Sequence, residues 1–82
     1  SAPAGAELSG AERRALEKEV SSAERKIAKL DGEIKKLHAR MAAHDQADYA
    51  GLGELTAQIQ GLGDEIAEAE ERWVEASDRL GN

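Results

Sequence analysis

The sequence has no cysteine and no phenylalanine, and it carries one tryptophan and one tyrosine among its 82 residues. Without cysteine, disulfides and thiolate zinc sites are excluded. A chain this short forms one small domain at most, and the scarcity of aromatic residues argues against a thick, multilayered core. No apolar run approaches the roughly 18 residues that a membrane-spanning helix needs, so we expect no membrane partner.

What the sequence does have is a regular apolar spacing, in which steps of three and four residues alternate in two separate runs. The first run is Leu16, Val20, Ala23, Ile27, Leu30, Ile34, Leu37 and Met41, and the second is Leu52, Leu55, Ile59, Leu62, Ile66, Ala69, Trp73, Ala76 and Leu80. This is the a/d pattern of a coiled coil, with Val20 and Trp73 at a positions. Each run therefore predicts a long helix that packs on a partner helix.

One short breaker segment separates the two runs, so we predict an all-α fold in which the helices form an antiparallel coiled-coil hairpin. The predicted helices cover about residues 9–43 and 48–80, joined by a loop at about 44–48, and the hairpin occupies 9–82. Ser9 and Glu12 have the spacing of a capping box, and Asp48 can cap the second helix, with Asp45 as a competitor. Residues 1–8 read as a linker or an expression remnant, and we expect the chain to be a piece of a longer protein.

Charge is distributed unevenly between the two helices. The net charge is −6, yet residues 8–43 carry nine Lys/Arg against six Asp/Glu, whereas residues 52–80 carry two against eight. A basic helix followed by an acidic one favours pairing within one chain, and we expect a monomer. Five basic residues of the first helix are candidate contacts for phosphate groups, and they are Arg25, Lys29, Lys35, Lys36 and Arg40. An ordinary solvated helix face is the alternative.

Two registers of the hairpin are compatible with the pattern. One places Leu16 opposite Leu80 and Ala23 opposite Trp73, and the other slips by one heptad and places Leu16 opposite Trp73. We favour the first, because it sets the largest side chain against a small one. Trp73 is then interpreted as a core anchor, with an exposed stacking platform as the alternative, and Tyr49 either fills the hairpin tip or offers a contact surface.

No catalytic arrangement emerges from the sequence. His38 and His44 are six residues apart, so they point to different sides of a helix and do not form a metal site. The Gly61-Leu62-Gly63 segment lies within a heptad and is not a phosphate loop. We therefore predict neither catalytic nor metal-binding residues and no cofactor in this chain.

Taken in order, several elements of the chain resemble a known family. The chain opens with Leu8-Ser9-x-x-Glu12-x-Arg14, continues through repeated Ile/Leu steps, passes an Asp-Tyr loop and closes with Glu-Arg-Trp at 71–73. From about Leu8 to Leu80 it resembles the C-terminal coiled-coil domain of the ABC-F subfamily of ATP-binding cassette ATPases, the Uup type in particular.

The resemblance implies a bacterial, cytoplasmic parent protein whose ATP and Mg²⁺ are bound by nucleotide-binding domains outside this chain. It also implies an accessory domain that binds DNA, or ribosomal RNA, since the wider subfamily acts at the ribosome. The strong acidity of the second helix supports a different function, that of a structural or protein-interaction hairpin that docks on the ATPase domains or on another protein. Both functions remain open at the level of sequence.

Overall fold

The computed structural model describes residues 8–81, which form two long helices and a short turn. Helix α1 spans Gly10–Ala43 and helix α2 spans Tyr49–Leu80, and the two pack side by side as an antiparallel hairpin. The predicted all-α hairpin is therefore confirmed, and the helix boundaries lie within one residue of those expected. Of the segment interpreted as a linker, residues 1–7 lie outside the described residues. Within residues 8–81, neither helix contains an apolar stretch of the length and hydropathy needed to cross a membrane.

The beginning of each helix is fixed by a polar side chain that accepts a hydrogen bond from an otherwise unpaired backbone amide. The Ser9 hydroxyl accepts from the Glu12 amide at 3.1 Å, and the Glu12 carboxylate accepts from the Ser9 amide at 3.0 Å. This is the capping box predicted from the sequence. At the second helix, the Asp48 carboxylate accepts from the Gly51 amide at 3.0 Å. Asp48 is thus the cap of α2, and Asp45 instead accepts from the Ala47 amide within the turn.

The turn between the helices is held by side chains that bond to its own backbone. The Gln46 side-chain amide donates to the carbonyl oxygens of Met41 and His44, at 3.0 and 2.8 Å. The Met41 carbonyl also accepts from the His44 backbone amide, so Gln46 adds a second bond there and supplies a donor to the His44 carbonyl just past the helix end. His44 Nε2 lies 2.8 Å from Asp48 Oδ2, which joins the end of α1 to the cap of α2. Tyr49 is 81% exposed, so the expectation that it fills the hairpin tip is wrong.

The core lies on one side of the apolar seam rather than along its middle. All seven buried apolar residues occupy d positions, and they are Leu16, Ala23, Leu30, Leu37, Leu55, Ala69 and Ala76. Every a position of the two runs, from Val20 to Leu80, remains at least partly exposed. In an antiparallel pair the d residues of both helices lie on one flank of the hairpin and the a residues on the other. The hairpin is therefore more tightly closed along its d flank, with Leu62 the one partly exposed d residue of the two runs, and it is partly open along its a flank.

A hydrogen bond between the helices identifies the register. Trp73 Nε1 donates to Glu24 Oε2 at 3.0 Å, across 49 residues of sequence. This places Trp73 next to Ala23, as in the register that sets the large side chain opposite the small one. Trp73 is nevertheless 37% exposed. The expectation that it is a buried core anchor is wrong, because it sits at an a position on the open flank.

Candidate nucleic-acid interface

The closed d flank of the hairpin carries a row of basic side chains. Two shallow grooves run along this flank where α1 meets α2, both bordered by Leu62 and Glu65 of the second helix. The cations that line these grooves come from positions c, f and g of α1, and they are Arg25, Lys26, Lys29, Lys36 and Arg40. We refer to these five residues as the basic flank.

The cations of the basic flank are available to an external anion. Within residues 8–81, none of the five forms an ion pair with a carboxylate of the chain. Two carboxylates, Glu33 and Glu65, line the same grooves. Five cations and two carboxylates leave this surface with a net charge of about +3, although the whole chain is acidic. The hairpin thus separates its charges in space, which the net charge of the chain conceals.

The basic flank is long enough to follow a nucleic-acid strand. From Arg25 to Arg40 the helix rises about 22 Å at 1.5 Å per residue. A strand of duplex DNA advances about 3.4 Å for each phosphate, so about six phosphates of one strand fall within that length. The surface can therefore meet several phosphates at once, and phosphate contacts of this kind position a nucleic acid without reading its sequence.

Four of the five basic residues predicted from sequence lie on this flank, and the fifth does not. Lys35 lines neither groove, and its ammonium group lies 3.4 Å from Asp31 Oδ2, one turn earlier on the helix. The structure adds Lys26, which the sequence analysis did not choose. Lys26 and Arg40 share heptad position g, so a helical projection that grouped residues by angle would have found it.

The two histidines do not form a metal site. His44 is engaged with Asp48 at the hairpin tip, and His38 is exposed on α1. Among residues 8–81 no group of three His, Asp or Glu side chains is placed to hold a metal ion. Hydrogen bonding from the Gly51 amide, followed by that from His44, lowers the pKa of Asp48 below its ordinary value. This shift belongs to a helix cap, and it needs no catalytic explanation.

Comparison with protein families decides what kind of domain this hairpin is. Residues 7–78 match the ABC transporter C-terminal domain family, which is nearly the whole chain. The chain belongs to this family. No curated protein and no solved structure gives a match. A C-terminal domain of an ABC transporter-type protein is an accessory unit, and the small, all-helical form of the described residues agrees with a non-catalytic role.

Proposed function

We propose that this ABC transporter C-terminal domain is the non-catalytic accessory domain of an ABC-F ATPase of the Uup type, and that it binds the phosphate backbone of DNA or structured RNA through its basic flank. The parent ATPase would work in the bacterial cytoplasm, and its other domains would bind ATP and Mg²⁺ and pack against this hairpin. The observation that carries the binding proposal is the row of unpaired cations along one side of a rod.

The electrostatics of the flank set the expected strength and salt dependence of binding. A net local charge of about +3 neutralises about three phosphates, and each contributes about −0.9 to the slope of log affinity against log salt on duplex DNA. The expected slope is therefore about −3, so affinity should fall about 40-fold between 50 and 200 mM salt. The acidic α2 keeps binding weak, and it restricts binding to the flank where the cations are exposed.

Lys35 and Lys36 provide a matched test, since they are identical, adjacent and placed on different faces of α1. Duplex DNA and structured RNA are titrated into the chain at 50 mM salt while amide shifts or fluorescence anisotropy are recorded. Lys36→Glu should weaken binding at least about tenfold, because it places a negative charge among the cations of the flank. Lys35→Glu changes the net charge by the same amount, yet it should weaken binding only about twofold, since Lys35 lines neither groove and lies beside Asp31, so it acts on a bound phosphate only at longer range through screening salt.

Three results would reject the proposal. Equal effects of the two substitutions would mean that only the total charge of the chain matters. A larger effect of Lys35→Glu would move the interface to another face. If neither nucleic acid changes the amide shifts or the anisotropy at 20 mM salt, the domain does not bind nucleic acid. The protein-interaction hairpin would then be the better account of the domain.

A further inference from the structure

The open a flank of the hairpin carries an apolar groove with an acidic rim. The groove has a volume of about 670 Å³, and its floor and walls are formed by Ile27, Ala28, Trp73 and Val74. Trp73 and Val74 remain 37% and 48% exposed, although both are large apolar residues. These two side chains are neighbours and form one small contiguous apolar patch, which is a feature of interaction sites, whereas isolated exposed apolar residues need no explanation.

Carboxylates surround this apolar surface. Glu24, Asp31 and Glu70 complete the lining of the groove, and no cation is part of it. The indole of Trp73 donates to Glu24, so the hydrogen bond fixes both the ring that forms one wall and the carboxylate that forms the rim. The neighbouring surface of α2 adds Glu68, Glu71 and Glu75 against a single cation, Arg72. The rim is therefore strongly negative next to a preformed apolar patch.

We propose that this groove docks a basic amphipathic helix of a partner protein. A helix lies in such a groove by inserting apolar side chains from one stripe, spaced at i, i+4 and i+7, between the two helices that form the walls. Lysines and arginines beside the stripe would then meet Glu24 and Glu70, whereas Asp31 already has the Lys35 ammonium 3.4 Å away. Charge complementarity selects this occupant, because the three charged side chains that line the groove are all carboxylates and only Asp31 among them is paired with a cation, Lys35.

The same charges argue against the other occupants of an apolar groove. In a two-fold dimer each copy presents the same patch to the other, so the three carboxylates of one rim would face those of its partner. A nucleic acid or an anionic lipid surface would be repelled for the same reason. The basic flank lies on the opposite side of the seam, so the proposed helix and a nucleic acid need not compete for the same surface.

Trp73 provides a direct probe, since it is the only tryptophan of the chain and forms one wall of the groove. The ligand is a synthetic helical peptide that lacks aromatic residues, with leucines at i, i+4 and i+7 and lysines at the flanking positions. Docking should shift the Trp73 emission to shorter wavelengths and move amide signals around residues 24–31 and 70–74. Two control peptides carry either glutamates in place of the lysines or serines in place of the leucines, and neither should bind appreciably.

Substitutions in the groove sharpen the test. Val74→Lys puts a cation beside the apolar wall and should weaken peptide binding at least about tenfold, as should Glu70→Lys on the rim. Glu54→Lys is the matched control: it changes the charge of an exposed α2 residue outside the groove lining and should leave the affinity within about twofold. Circular dichroism of each variant checks that the hairpin remains folded.

The proposal fails if the serine peptide binds as well as the leucine peptide, because the attraction would then be charge alone. It also fails if the lysine peptide does not bind, or if Glu54→Lys weakens binding as much as Glu70→Lys. Self-association of the chain with a blue shift of Trp73 would assign the groove to a second copy. A blue shift produced by duplex or single-stranded DNA would assign it to base stacking. Both results are independent of whether the basic flank binds phosphate.

Discussion

The off-centre core makes a sharp prediction about two apolar residues of α1 that lie one turn apart. Leu30 is at a d position and only 5% exposed, whereas Ile34 is at an a position and partly exposed. Replacement by alanine removes three carbon atoms from either side chain. Any difference between the two variants in the free energy of unfolding therefore reports where each side chain lies, since the change in chemistry is nearly the same.

The expected magnitudes follow from burial. At Leu30 the three carbons lose about 2.4 kcal/mol of transfer free energy, and the cavity that they leave raises the cost to about 3 kcal/mol. At Ile34 only about half of that transfer term applies, and solvent fills the space. Alanine also has a higher helix propensity than isoleucine, so the net cost should be about 1 kcal/mol. A gap of about 2 kcal/mol corresponds to about a 30-fold difference in the folding equilibrium.

The assay is urea unfolding followed by the helical circular dichroism signal, at about 15 °C, near the usual temperature of maximum stability. Thermal midpoints give a second measure, with about 4–8 °C expected for each kcal/mol in a domain of this size. If Leu30→Ala is unfolded throughout while Ile34→Ala still folds, the predicted order holds. Equal losses, or a larger loss at Ile34, would show that the a flank is as closed as the d flank and would refute the reasoning.

Three further predictions concern two of the glycines and the helix caps. Gly61→Ala should raise the free energy of unfolding by about 0.5–1 kcal/mol, since a Cβ there meets nothing within 4 Å and glycine is costly inside a helix. Gly51→Ala should instead destabilise the hairpin in the same urea unfolding experiment, because its Cβ would collide with the His44–Asp48 pair; a stabilised Gly51→Ala would contradict the geometry of the tip. Hydrogen bonds from Ser9, first of all from its backbone amide, lower the pKa of Glu12 from 4.5, and the Gly51 amide and then His44 lower that of Asp48 from 3.8. A carboxylate whose pKa is lower in the folded state stabilises the fold above its ordinary pKa and loses that contribution as the pH falls further. Stability should therefore drop as the pH falls below about 4.5, and Glu12→Gln with Asp48→Asn should flatten this acid limb; an unchanged pH profile in the double variant would show that the two caps do not carry it.

The architecture could be predicted from the sequence because each of its signals is local. The three-four spacing, the single breaker and the capping residues Ser9 and Asp48 each act within a few residues along the chain, and all of them agree. The register could also be predicted, because the large Trp73 side chain packs best opposite a small residue, and one of the two registers places it opposite Ala23.

The flank on which the hairpin closes was not predicted, because the apolar spacing assigns the a and d positions but does not say which of the two rows packs more closely. The sequence contains a signal for the closed flank in its alanines. Small side chains let two helices approach closely, and the d positions hold three buried alanines, Ala23, Ala69 and Ala76. Because the closed flank was not known, the sequence did not show that Lys36 lies on it and Lys35 does not. For the same reason Lys26 was overlooked and Trp73 was placed in the core. Whether the basic flank binds nucleic acid remains a prediction.

Because both ends of the described chain lie at one end of a long hairpin, a rotation about that end displaces residues in proportion to their distance from it. Leu8 and Gly81 lie at one end, and α1 runs for 34 residues to the tip, which is about 51 Å. If the domain pivots about the end that holds Leu8 and Gly81, a rotation of about 10° displaces Arg40 by about 8 Å and Arg25 by about 4 Å, given their heights along the helix. A rotation of this size at the end that holds Leu8 and Gly81 would therefore displace the residues of the basic flank by several ångströms. The displacement would be largest for the residues nearest the hairpin tip.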